Sequence, residues 1–76
     1  ENFKQAGELW RSFDKRSQDA LVEAMGGDLA QVKDLAIQNN FTAFAYKADP
    51  DYGTRVAARA GIDLEAVKKA AATYKD

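Results

Sequence analysis

Residues 45–57 read AYKADPDYGTRVA, and this stretch decides how the chain is put together. A helical pattern runs up to Lys47–Ala48 and must stop at Asp49, because a proline drives the residue before it out of the α region. Pro50 suits the first position of a new helix, where its missing N–H costs nothing. Asp49 offers the oxygen that caps that helix. Asp51 then stands in the first turn, where the helix dipole favours a negative charge, and reaches Arg55 at i+4. The segment predicts a corner between two helices. Tyr52, Val56 and Ala60 stripe the inner face of the second, Gly53 permits close approach of a neighbour, and Gly61 ends it.

Upstream, Asp34 caps a helix over Leu35–Ala48. Ile37, Phe41, Phe44, Ala45 and Ala48 recur at i, i+4, i+7, i+8 and i+11, which predicts the strongest core stripe of the chain. A first helix covers Phe3–Phe13, with Phe3, Ala6, Trp10 and Phe13 on one face and Gln5, Leu9 and Phe13 in an adjacent row. Asp14 caps a helix over Lys15–Met25, striped by Leu21, Val22 and Met25. Gly26–Gly27 read as its stop, and Asp28–Lys33 as a linker. Downstream, Asp63 caps a helix over Leu64–Tyr74. Ile62 and Val67 occupy the two positions of a hydrophobic staple. Leu64, Val67, Ala71 and Tyr74 form its stripe, and Glu65 can pair with Lys68 or Lys69. No repeat, low-complexity tract or second domain interrupts residues 1–76. The expectation is an all-α fold, a small bundle of four to five short helices in a single domain.

Composition narrows the chemistry. Among 76 residues there is no cysteine and no histidine. The first absence removes disulfides and thiolate metal sites and fits a cytoplasmic protein. The second removes the commonest general base and metal ligand. Eleven basic and twelve acidic residues are interspersed, for a net charge of −1 and a pI near 5.3. That balance argues against nucleic-acid binding. No apolar run approaches the roughly 18 residues of a membrane span. The chain opens on Glu1, which reads as processing or as a segment excised from a longer protein.

No catalytic constellation emerges. Asp49 and Asp51 are better explained as cap and first-turn charge than as an acid/base pair. No alternation of oxygen ligands over about 12 positions suggests a calcium loop. Gly26–Gly27 lack the further glycines of a phosphate loop. Lys47, Arg55 and Arg59 gather near the corner, either as a solvated face with local ion pairs or as a phosphate contact. Trp10, Tyr46, Tyr52 and Tyr74 lie on or beside apolar stripes and read as core or contact residues. Phe3, Trp10 and Phe13, with Leu9 beside them, offer more apolar surface than a small bundle buries, which predicts a contact of the first helix outside the 76 residues.

Three longer motifs carry a resemblance. They are F-x-Q-A-G-x-L-W at Phe3–Trp10, L-V-E-A-M-G-G-D-L at Leu21–Leu29 and A-Y-K-A-D-P-D-Y-G-T-R-V-A at Ala45–Ala57, with Ile37–Gln38 phased before the last. In this order and spacing the chain resembles the C-terminal helical domain of monofunctional haem catalases over about Asn2–Gly61. The family reads approximately F-x-Q-A-G-x-L-Y, L-V-x-N-I-A-G-x-L and F-Y-K-A-D-P-x-Y-G-x-R-V-A in these places. Ala24 departs from the usual Asn, and Phe44–Ala45 replace a common His-Phe pair. Ile62–Asp76 run beyond the matched part.

The resemblance implies a parent enzyme that dismutes hydrogen peroxide, with its haem chemistry elsewhere, in a β-barrel domain and an N-terminal arm. The family uses a distal His and Asn, and a Tyr ligand on an Arg-x-x-x-Tyr helix. Here Thr42, Ala48 and Ala70 precede Tyr46, Tyr52 and Tyr74 at that spacing. The implied role is a non-catalytic helical layer on the barrel, with Phe3, Trp10 and Tyr52 as domain contacts. In family members that bind NADPH, the nucleotide meets the first helix at i, i+4 and i+8, which corresponds to Gln5, Leu9 and Phe13. The competing expectation is that this row simply faces the barrel. A second reading is a free-standing helical module that binds another protein, its last helix covering the face that a barrel would cover. Neither reading expects haem held by this chain, a nucleic-acid partner or a membrane.

Overall fold

The computed structural model describes residues 2–74, and these contain five helices: α1 (Asn2–Ser12), α2 (Lys15–Ala30), α3 (Leu35–Ala48), α4 (Pro50–Ala60) and α5 (Leu64–Ala71). No strand occurs among the described residues, so the all-α class holds. Residues 75–76, at the end of the expected C-terminal extension, lie outside the described part.

Local chemistry sets the helix starts. The side chains of Asp14, Asp34, Asp49 and Asp63 accept hydrogen bonds from the backbone N–H of Ser17, Ala36 and Ile37, Asp51, and Glu65 respectively. Each cap satisfies N–H groups that the first helical turn cannot pair internally. Gly61 closes α4 in the left-handed conformation, φ 73°. Both its N–H and that of Ile62 bond to the Ala57 carbonyl. A side chain at this position would be strained, so glycine is required. Ile62 then packs against the core cluster that contains Val67.

Asp49 does more than cap. Its extended backbone (φ −160°) turns the corner, and its Oδ1 accepts from Asp51 N at 2.9 Å. Its Oδ2 accepts from Arg11 Nη1 at 2.8 Å, which ties α1 to the corner. Replacing Asp49 with Ala should cost about 1–2 kcal/mol, the worth of a helix cap. Asn keeps the cap oxygen and loses the ion pair, so Asp49→Asn should cost under about 1 kcal/mol. Urea denaturation of both variants checks this, and equal losses would show that the cap is not the larger contribution.

The helices α2 and α5 pack on opposite partners, with α4 common to both. α2 lies against α4, α3 against α4 and α5, and α1 against α3. One core cluster joins Trp10, Val22, Leu29 and Val56. A second joins Ala43, Ala57, Val67 and Ala71. Adjacent residues of α4, Val56 and Ala57, face the two clusters and are almost completely buried.

Two expectations are corrected here. Gly26–Gly27 do not stop α2, which continues to Ala30, and the expected linker shrinks to the residues before α3. Two glycines inside a helix cost about 2 kcal/mol relative to alanine. Extending the helix buries Leu29 and partly buries Val32 in the first cluster, and burial is worth about 1.5–3 kcal/mol for a fully buried side chain of this kind. Gly26 also lets α4 approach, since a Cβ there would stand 2.5 Å from Arg59 Cγ. The released end of α2 is then held by Gln38, whose Nε2 donates to the carbonyls of Leu29 (2.8 Å) and Val32 (2.7 Å).

The second correction concerns α3. Its buried residues are Thr42, Ala43, Ala45 and Ala48. Ile37, Phe41 and Phe44, expected in the core, are exposed by 54%, 37% and 40%. Small residues bring α3 close to α4 and α5. On the remaining face Phe44 meets Phe3 of α1, and beyond it Gly7 of α1 sits on the Ala48 carbonyl. Thr42 is fully buried and satisfies its hydroxyl by donating to the Gln38 carbonyl at 2.8 Å, as hydroxyls inside helices commonly do.

Candidate functional site

Charged side chains form one ordered rail, between α2 and α4. Arg55 donates to Asp19, and Arg59 Nη2 donates to Glu23 at 2.7 Å. Lys15 reaches Asp19 at 3.1 Å, and Arg55 also approaches Asp51 at 3.7 Å. Two of the three cations considered as a phosphate contact are therefore engaged with carboxylates, in accord with the solvated, ion-paired reading. Hydrogen bonding from Lys15, with a further contribution from Arg55, holds Asp19 below its ordinary pKa, and Arg59 does the same for Glu23.

A pH dependence follows. The unfolded chain takes up these protons at a higher pH than the folded one. The stabilisation is therefore complete above the unfolded values near 4 and is lost as pH falls through the depressed folded values. The melting temperature should fall on acidification below about pH 4. In the Asp19→Asn, Glu23→Gln double variant that fall should be shallower. Thermal melts from pH 7 to pH 3 check it, and parallel curves for the two proteins would refute the assignment.

The rows marked on α1 are split by the fold. Gln5 is exposed, Leu9 is 58% exposed and Phe13 is half-buried. Two of the three residues in this row therefore lie at the surface. Trp10 takes the opposite course. It is 2% exposed, stacked on Tyr52 with ring centroids 4.4 Å apart and planes 14° from parallel. Arg55 Cζ lies 5.4 Å from the Trp10 ring centroid, a favourable cation–π placement. The expectation of an exposed face built on Trp10 is thus corrected: Trp10 belongs to the chain's own core. Tyr52 is half-buried beneath it, and burial raises its phenol pKa. Phe3 is half-buried against Phe44 (5.0 Å) and Tyr74 (5.7 Å).

The larger open apolar surface lies on α3. Ile37, Asn40, Phe41, Phe44 and Tyr74 line an open groove of about 520 Å³. That volume would suit a small molecule, but such sites carry several placed polar groups. Asn40 is the only non-aromatic polar residue lining this one, and the Tyr74 hydroxyl is already spent on the Asn40 carbonyl at 3.2 Å. The arrangement suits contact with another apolar surface. Of the expected α3 stripe, Ala45 and Ala48 are buried, whereas Ile37, Phe41 and Phe44 face this groove. A usable signal was present: from Leu35 to Tyr46 no charged residue occurs.

A second groove is lined by Tyr46, Lys47, Pro50, Lys68, Ala71 and Ala72. Among the described residues, no group of three or more Asp, Glu, His or Cys could hold a metal ion. No helix among the described residues is long and apolar enough to cross a membrane.

Residues 1–60 match the family model described as "Catalase-related immune-responsive". The chain belongs to this catalase-related family. It is 45% identical to a catalase of Pseudomonas aeruginosa over 76 residues, covering the whole of this chain and 15% of the relative. A catalase of Vibrio cholerae is 41% identical over 71 residues, 93% of this chain and 14% of the relative. A catalase of Listeria monocytogenes is 40% identical over 67 residues, 84% of this chain and 13% of the relative. The chain thus spans about one-seventh of the length of these curated relatives. The Pseudomonas alignment runs the whole length of this chain, Ile62–Asp76 included.

The catalase-related residues present here do not fit a haem grip. Tyr52 is stacked on Trp10, and Tyr74 donates to a backbone carbonyl. Tyr46 borders the second groove, away from the lining of the α3 groove. No tyrosine has an arginine four positions before it, and the chain has no histidine.

Proposed function

We propose that this chain serves as a non-catalytic helical layer of a haem catalase subunit, packed on the part of that subunit that dismutes hydrogen peroxide. The observation that carries this reading is the family membership over a segment about one-seventh as long as its catalase relatives. The uncharged apolar surface of α3 supports it, because exposed apolar patches on small proteins commonly mark contacts. In this reading the helices contribute packing to the subunit, and its β-barrel supplies the haem site. The row Gln5, Leu9 and Phe13 would border NADPH only in a parent subunit that binds the nucleotide.

The test is an immunoblot of source-cell extract with an antibody raised against this segment. A band several times larger than the 8.3 kDa of these residues, with a haem absorption band in the purified protein, is the expected result. A band at about that mass, with no haem protein recovered, would overturn the proposal in favour of a free-standing protein-binding module.

A further inference from the structure

The groove where α3, α4 and α5 meet carries an unbalanced charge. Its walls are Tyr46 and Lys47 at the end of α3, Pro50 at the start of α4, and Lys68 and Ala71 of α5, with Ala72 just beyond. Its volume is about 340 Å³, and it shares no lining residue with the apolar groove on α3. Tyr46 is held in place because Gly53 of α4 lies directly on its backbone. Ala71 and Ala72 are small, so α5 leaves the floor open. Elsewhere the cations near the corner are matched. Arg11 pairs with Asp49, Arg55 with Asp19 and Asp51, and Arg59 with Glu23. Lys47, the third cation that the sequence gathers at the corner, lines this groove instead and is half-buried. No carboxylate among the described residues stands within ion-pair distance of it. Lys68 meets Glu65 at 3.5 Å, one turn earlier on the same helix, and the Glu65 side chain is 80% exposed. A pair this long and this open contributes little, so Lys68 can turn to another anion. Among the described residues no Asp or Glu lines the groove. In a chain of net charge −1, two lysines beside an apolar floor are a local positive charge that the fold leaves uncompensated.

We propose that this groove docks an acidic segment of another protein. A carboxylate of the partner meets Lys47 and Lys68, and an apolar side chain next to it rests on Pro50, Ala71 and Ala72. Charge complementarity selects this occupant. A nucleic-acid backbone or an anionic membrane surface needs a broader run of cations, and here the neighbouring arginines are spent on carboxylates. A small molecule is normally held in a cleft that buries most of its surface under several placed polar groups, whereas this groove is open and lysines supply its charge. An extended acidic segment needs no more than the two cations and the apolar floor. Lys68 is exposed and Lys47 half-buried, so the attraction governs specificity and encounter more than affinity, and added salt weakens it. The site goes beyond the helical-layer reading and uses none of the residues of the α3 surface that supports it.

The experiment titrates the native polypeptide that carries these residues into two fluorescein-labelled peptides and reads binding by fluorescence anisotropy. One peptide alternates glutamate with leucine, and the other has glutamine in place of each glutamate. The glutamate peptide should bind saturably and roughly tenfold tighter than the glutamine peptide, and the Lys47→Gln, Lys68→Gln double variant should lose roughly that factor. Ala72→Trp fills the groove from an exposed position without changing the charge, and should lose a similar factor. Lys4→Gln with Lys33→Gln removes the same charge at two exposed positions outside the groove, and should bind as the unmodified protein does. An equal loss in that control, or no loss in the Lys47 and Lys68 variant, would overturn the site. Equal binding of the two peptides would overturn the anionic chemistry, and binding of neither would overturn the proposal. Displacement of the glutamate peptide by an equal concentration of N-acetylglutamate would overturn the protein segment as occupant in favour of a small organic anion. Circular dichroism establishes that each variant is folded. If the double variant is not, Lys68→Gln and Ala72→Trp, both at exposed positions, carry the test.

Discussion

Trp10→Ala should leave this chain at or below the edge of folding at room temperature. Removing a fully buried tryptophan typically costs about 3–5 kcal/mol, the lost transfer free energy plus a cavity. Trp10 is 2% exposed, stacks on Tyr52 and carries the Arg55 guanidinium near its ring. The stack adds about 0.5–1.5 kcal/mol beyond burial. A 76-residue domain commonly has a total stability of about 4–11 kcal/mol, so this one change removes a large fraction of it. Trp10→Tyr retains an aromatic ring for Tyr52 and should cost far less, about 1–2 kcal/mol. Urea denaturation followed by circular dichroism measures both. A loss below about 1 kcal/mol for Trp10→Ala would mean that the first core cluster is not organised around this ring.

A second large effect is expected at Gly53, with the opposite sign to what helix propensity suggests. Alanine in a helix interior is favoured over glycine by about 1 kcal/mol. A Cβ at Gly53, however, would stand 2.5 Å from the backbone nitrogen of Tyr46 and closer still to its Cα. Backbone of a neighbouring helix cannot rotate away as a side chain can. Overpacking costs about 1–3 kcal/mol and sometimes more. Gly53→Ala should therefore destabilise by about 2 kcal/mol or more, lowering the melting temperature by roughly 10 °C. Gly27 supplies the contrast. A Cβ there meets only Arg59 Nη2, at an ordinary 3.5 Å, so Gly27→Ala should stabilise by about 0.5–1 kcal/mol. Thermal melts of the two variants decide the matter, and a stabilised Gly53→Ala protein would refute the close α3–α4 crossing.

These glycines mark where the sequence was legible and where it was not. A glycine within a helical pattern can end the helix, or it can admit another helix. Gly61 ends one, with Ile62 and the Asp63 cap beside it as local confirmation. Gly26 admits one, and the evidence for that is Arg59, 33 residues away. The candidate contact residues show the same division. Trp10 was on the right stripe, but its partner Tyr52 comes from another helix. Without that pairing nothing distinguished a core tryptophan from a contact one.

By itself, the sequence determined the helical class, the four aspartate caps, the corner at Asp49–Pro50 and the family. All of these depend on residues within a turn or so of one another, or on motifs read in order. Tertiary structure alone decided that α2 continues through two glycines, that Trp10 turns inward, and that Ile37, Phe41 and Phe44 remain outside. Periodicity places residues on a common face of a helix, but it cannot say which face meets a neighbour. Here α4 and α5 pack on the small residues of α3, and α1 reaches only the end of the large ones. That choice is made by how closely helices can approach, and it leaves the apolar surface that supports the proposed packing on a catalase subunit.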